Sequence, residues 1–250
     1  MRHAFVFRAG LALGCVALAL AIGACPDPET EVVDKTAAEH GAELFQDPTL
    51  TGVERNTFSC ATCHAAHADD AGDTILAGAP LAGATLRPSY WGGKELTLLG
   101  AVNDCRYYFM LADTPWAGDE TEAEAIYAYL ESLEDGGDAT AQPFTIAPIV
   151  NPEAGDATRG AGVYENACAS CHGAKSTGAG ALADTAPKLP DATLAAHPSP
   201  DYSDEDRRLV FVEKTRHGTF FGYGGQMPPF SEELLSDQDL ADLLTYLGVP

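Results

Sequence analysis

Apolar residues along this chain recur in steps of three and four rather than in alternation. The stretch ETEAEAIYAYLESL places Ile126, Leu130 and Leu133 on one face, the spacing of an amphipathic helix with a single buried stripe. SDQDLADLLTYLG lines up Leu240, Leu243, Leu244 and Leu247 behind Ser236 and Asp239, a capping box whose side chains satisfy the free N–H groups of a first helical turn. LTLLGAVNDCRYYFM sets Leu98, Val102, Cys105 and Phe109 on one inward face. Two more segments, AEHGAELF and ATRGAGVYENA, combine small residues with one aromatic, Phe45 or Tyr164, which suits helices packed closely against other helices. Strand-like alternation is scarce. The pattern predicts an all-α fold.

The helical segments form two similar series, so two units in tandem are expected. Residues 134–156, EDGGDATAQPFTIAPIVNPEAGD, interrupt them with Gly, Pro and acid. The expected organisation is a first unit over 37–135, a linker over 136–154 and a second unit over 155–250. The chain opens differently. Arg2, His3 and Arg8 precede an apolar run from Ala9 to Ile22 and a small-residue ending, the pattern of a secretory signal. The run falls short of the roughly 20 apolar residues of a comfortable membrane span. Its ending, IGAC, resembles the bacterial lipoprotein signal, which implies removal of residues 1–24 and a lipid on Cys25. An ordinary signal with a free Cys25 is the alternative. Residues 25–36 are acidic and lack an apolar period, as a tether would.

Cysteine spacing narrows the chemistry. NACASCHGAK holds Cys168, Cys171 and His172, and FSCATCHAAH holds Cys60, Cys63 and His64. On a helical turn, residues three apart lie about 5 Å from each other at Cβ, so both sulfurs can reach one flat object. The histidine that follows offers a nitrogen to a metal. C-x-x-C-H is the attachment pattern of a c-type haem, two thioethers and an iron ligand. Two competing arrangements fit less well. A structural zinc site built from two C-x-x-C pairs uses a gap of roughly 15 to 20 residues, and a redox dithiol wants a βαβ context that this chain does not offer. Two covalently bound c-type haems are expected, with Cys60, Cys63, Cys168 and Cys171 as thioether donors and His64 and His172 as iron ligands.

Charge and compartment agree with this. The net charge of −23 becomes −25 once Arg2 and Arg8 leave with the signal, so nucleic acid is excluded as a partner on electrostatic grounds. A redox protein with a basic docking face is a fitting partner; the bland alternative is that the charge only maintains solubility. Bacterial c-type haem is attached outside the cytoplasm, so the expected location is the periplasm or cell surface, anchored to the membrane through the N-terminal lipid. Of the seven cysteines, Cys15 leaves with the signal, four serve haem and Cys25 carries lipid. Cys105 is left alone.

With these motifs in place, each half resembles a class I cytochrome c domain: a helix ending in C-x-x-C-H, a loop, a short helix, an axial-ligand segment and a C-terminal amphipathic helix. The resemblance covers residues 37–250 in outline and is specific mainly at the haem motifs and at GYGGQMPPF. It implies that Met227 is the sixth ligand of the second haem, since that family uses a Met-Pro segment there. It also implies that a loop proline carbonyl orients each proximal histidine, Pro187 for His172 and Pro80 for His64. Methionine is sparse: apart from Met1, only Met110 and Met227 occur.

The first haem has two candidate sixth ligands. Met110 is followed by Leu111 and so departs from the Met-Pro pattern. Met110 and Cys105 lie about 140° apart on a helix, so both reach one iron only if the helix ends between them. The segment VNDC resembles the cysteine-ligand segment of thiosulfate dehydrogenases and sulfur-oxidation haem subunits, and Cys105 is preferred over Met110. His40, His67, His197 and His217 are weaker candidates.

An iron closed on both axial sides exchanges electrons rather than substrate. Methionine raises its potential and a thiolate lowers it. The expected function is a membrane-tethered di-haem electron carrier between respiratory redox partners. The alternatives are oxidation of a thiosulfate-type sulfur compound at a Cys105-ligated haem, or a di-haem peroxidase, for which the chain is short and the distal acid–base residues have no distinct counterpart.

Overall fold

The computed structural model describes residues 35–147, 149–220 and 225–250. The expected signal, Cys25 and most of the expected acidic tether lie outside the described residues. Within them the fold is all-α; an isolated bridge between Tyr90 and Glu95 is the only β pairing among the described residues.

Helix α1 (Ala37–Gln46) starts at Thr36, whose hydroxyl accepts the Glu39 N–H at 3.2 Å while the Glu39 carboxylate accepts the Thr36 N–H at 2.9 Å. Helix α2 (Leu98–Tyr108) starts at Thr97 in a similar way, and α3 is Thr121–Ser132. Helices α1 and α3 cross at Gly41, where a Cβ would lie 1.9 Å from the Ala125 carbonyl oxygen. One turn on, the rings of Phe45 and Tyr129 meet at 5.3 Å. This approach buries Phe45, Ile126, Leu130 and Leu133 in one core, each large side chain contributing about 1.5–3 kcal/mol.

The same crossing recurs further along. Helix α4 (Ala157–Val163) is capped by the Asp156 carboxylate and continues through a π-helical turn, Tyr164–Cys168, into α5 (Ala169–His172). Helices α6 (Asp191–Ala196), α7 (Asp204–His217) and α8 (Asp237–Leu247) follow. A Cβ on Gly160 would lie 2.0 Å from the Asp242 carbonyl oxygen, and the rings of Tyr164 and Tyr246 meet at 5.7 Å. A second core gathers Val163, Tyr164, Phe211, Leu240, Leu243, Leu244 and Leu247.

Residues 35–250 pack as one body. Trp91 stands at the centre of a ring cluster with Phe109, Phe144 and Phe220, at centroid distances of 6.1, 5.2 and 5.6 Å. The Ile75 N–H donates to the Asn166 carbonyl at 2.9 Å. The described residues of the segment expected as a linker carry no helix. It is strapped to the later half through the Thr145 hydroxyl, which donates to Glu233 at 2.6 Å, and through the Glu232 N–H, which donates to the Thr145 carbonyl at 2.8 Å.

Candidate functional site

Each C-x-x-C-H motif ends in a histidine held by its Nδ1. In the later motif, His172 Nδ1 lies 2.9 Å from the Pro187 carbonyl oxygen. In the earlier one, His64 Nδ1 lies 2.8 Å from the Ala79 carbonyl oxygen. A carbonyl can only accept, so Nδ1 carries the proton and Nε2 keeps its lone pair. Burial pushes both imidazoles below the ordinary histidine range, the carbonyl bond partly offsetting it, so both rings are neutral donors at pH 7.

The expectation for Pro80 is corrected here. The partner of His64 is Ala79, fifteen positions after the histidine, as Pro187 is after His172. Pro80, one position further, turns its carbonyl to the Arg87 guanidinium at 2.7 Å. The loop register sets the acceptor, and the proline ring does not. Gly78 completes this wall, since a Cβ there would come 2.2 Å from His64 Cε1.

A cavity of about 280 Å³ opens beside His64, with Cys60, Cys63, Cys105, Met110 and Trp91 in its wall. The donor set fits a c-type haem: two thiols on one turn, a free imidazole nitrogen and two further sulfurs, of Cys105 and Met110, in the same cavity wall. Burial pushes the Cys60 thiol up to about 11. The Cys63 thiol rises to about 12, through burial first and then the neighbouring Cys171 and Cys60 sulfurs. Uncharged thioethers suit such surroundings better than thiolates do.

Both candidate sixth ligands of the first site line this cavity, because α2 ends at Tyr108, between them. Beyond the helix, Leu111 takes a φ of +59°, turning the chain back. Burial raises the Cys105 thiol strongly, with Cys63, Cys60 and Asp104 adding to it. The rotation of α2 is fixed by residues flanking Cys105. The Asn103 amide donates to the Trp116 carbonyl at 2.9 Å and accepts the Trp116 N–H at 2.8 Å, while the Arg106 guanidinium lies 3.8 Å over the Trp116 ring. Their part was not legible in the sequence, although Asn103 lies within the VNDC segment and Arg106 follows it.

In the later half a narrower pocket brings Cys168, His172 and Met227 to shared walls of Leu189, Phe211 and Leu244. Met227 follows Gln226, a residue that sequence reasoning passed over. Among the described residues no group of three or more His, Cys, Asp and Glu side chains is arranged to hold a metal ion directly.

Residues 155–247 match the family described as cytochrome C oxidase, cbb3-type, subunit III. That match supports a c-type cytochrome domain, with covalently bound haem and electron transfer as its chemistry. Among solved structures, the thiosulfate dehydrogenase (TsdBA) of Marichromatium purpuratum in its as-isolated form is similar at 20% identity and a TM-score of 0.41. The alignment covers 88% of this chain and 48% of that one, so this chain spans about half the length of the other. A likeness at that score carries no functional argument. Among curated proteins, none matches this sequence.

Proposed function

We propose that this protein is an exported di-haem c-type cytochrome, tethered to a bacterial membrane by lipid on Cys25, that transfers electrons between respiratory redox partners. Residues 37–135 and 155–250 are its two cytochrome domains, joined by 136–154. One observation carries the reading: His64 and His172 each donate Nδ1–H to a backbone carbonyl, at 2.8 and 2.9 Å, and line pockets shared with Cys60 and Cys63 and with Cys168. Haem supplies a reversible one-electron iron couple when bound. The chain does the rest. The carbonyls fix the imidazole tautomer, the Met227 thioether favours the ferrous state, and the apolar walls exclude water.

The test is a mass and haem count on protein matured by a host competent in cytochrome c assembly. Two haems per chain, lost together when Cys60, Cys63, Cys168 and Cys171 are all replaced by alanine, are expected. A chain carrying none or one rejects the di-haem reading.

A second reading is favoured by the place of Cys105 in the first cavity wall: oxidation of a thiosulfate-type sulfur compound there, with the two electrons leaving through the haems. Tetrathionate formation by the purified protein supports it, and its absence with a competent electron acceptor present rejects it.

A further inference from the structure

Gln226, the residue immediately before Met227, sends its side chain out of its own half. Its Nε2 donates to the Asn56 side-chain oxygen at 2.8 Å and to the Phe109 carbonyl at 2.6 Å. Both acceptors belong to the build of the first cavity. Phe109 lines it, and the Phe109 and Met110 N–H groups donate to the Cys105 carbonyl at 3.0 and 3.3 Å. Asn56 is buried and shapes the approach to Phe58, a cavity-wall residue, by donating to the Phe58 carbonyl at 2.7 Å and accepting the Phe58 N–H at 3.1 Å.

On its other side the segment is clamped to its own half. The Met227 carbonyl accepts the Thr219 N–H at 2.9 Å, and the Phe230 N–H donates to the Thr215 carbonyl at 2.8 Å. Gly218, at the end of α7, packs so close that a Cβ would come 2.3 Å from the Met227 oxygen. Consecutive residues are thus fastened to opposite halves.

We propose that Gln226 is a positioning residue that joins the sixth-ligand segment of the second haem to the ligand-bearing wall of the first, so that loosening one segment loosens the other. The inference rests on the reading of Met227 as an iron ligand. An amide nitrogen has two hydrogens, and here both are committed to acceptors across the boundary. Hydrogen bonds weaken steeply with small changes in distance and angle, so Met227 cannot leave its place without releasing Asn56 and the Phe109 carbonyl. The Phe109 carbonyl would lose its Gln226 donor and the Asn56 oxygen would keep only the Phe58 N–H, a loss that opposes the movement.

The test is imidazole titration of the matured ferric protein, read as loss of the methionine–iron absorption band of the second haem, with the electron paramagnetic resonance signal of the first haem recorded alongside. Gln226→Ala is expected to bind imidazole about tenfold more tightly, the size of coupling found within one hydrogen-bond network, and to shift the first haem's signal. Gln226→Asn, which keeps the amide but shortens its reach, is expected to behave alike and decides the matter if the alanine variant does not mature. Adding Asn56→Ala to Gln226→Ala is expected to change the imidazole affinity by less than about twofold, because the shared contact is already gone. Affinity within about twofold of the unsubstituted protein, an unmoved first-haem signal, or full additivity with Asn56→Ala overturns the inference. An unsubstituted ferric protein with no methionine–iron band rejects the reading of Met227 itself, and the inference with it.

Discussion

Arg159 grips Asp242 through two donors, Nε at 2.6 Å from Oδ2 and Nη2 at 2.9 Å from Oδ1. The pair locks α4 to α8 beside the Gly160 crossing, and the same carboxylate accepts the Asp156 N–H at 2.7 Å and the Gln238 amide at 3.0 Å. The carboxylate side chain is buried while Arg159 is largely exposed. The Arg159 bond, ahead of the contributions of Asp156 and Gln238, holds the Asp242 carboxyl at about 2. An aspartate in an unfolded chain titrates near 3.9, so the folded value is depressed. The stability it contributes is fully present above the unfolded value and is lost as pH falls toward the folded one. Asp242→Asn is expected to lower stability at pH 7 by about 2 kcal/mol and to flatten the acid limb between pH about 4 and about 2. Urea unfolding across that range checks it; an asparagine variant that keeps the parent's acid limb would contradict the assignment.

The helix crossings make opposite predictions for neighbouring glycines. Gly160→Ala drives a methyl group onto the Asp242 carbonyl, and Gly41→Ala drives one onto the Ala125 carbonyl. Each is expected to cost about 1–3 kcal/mol through overpacking. Gly162, in the same helix as Gly160, has nothing within 4 Å of its Cβ position. Gly162→Ala is therefore expected to gain about 0.5–1 kcal/mol from reduced backbone freedom in the unfolded chain. Thermal unfolding of the three variants separates the signs.

Gly78 tests the first histidine without touching it. Gly78→Ala places a methyl group against the His64 ring, 2.4 Å from Nδ1, and should break the bond to the Ala79 carbonyl. The expected result is lowered haem occupancy or an altered ligand spectrum at the first site, with the second site as an unchanged internal reference. Absorption spectra of the matured variant decide, and two unchanged haem signals would refute the placement.

The two cavity-wall sulfurs are told apart by charge. A thiolate donates electron density and lowers an iron potential. With Cys105 as the ligand, Cys105→Ala is expected to raise the first haem's potential and change its ferric resonance spectrum, while Met110→Ala leaves both near the parent values. Spectroelectrochemistry of both variants is the measurement. The reverse pattern would give the iron to Met110.

Much of this was legible in residue order. The three-and-four spacing of Ile126, Leu130 and Leu133, and of Leu240, Leu243 and Leu247, announced α3 and α8 because a helical period is a local property of the chain. Cys60–His64 and Cys168–His172 could be picked out as candidate haem motifs for the same reason, all donors of each motif lying within five residues. The Ala79 carbonyl was within reach of the same reasoning, since an offset of fifteen from each histidine selects it together with Pro187. Attention to the proline ring selected its neighbour.

What order alone determined, then, is what depends on neighbours in the chain: the helices, their caps and the two C-x-x-C-H motifs. The tertiary structure decided what depends on separation in space. It ended α2 between Cys105 and Met110 so that both sulfurs reach one cavity. It also carried the Gln226 side chain to Asn56, 170 residues away. No periodicity encodes such a contact, because its geometry is set by how two whole cores pack against each other.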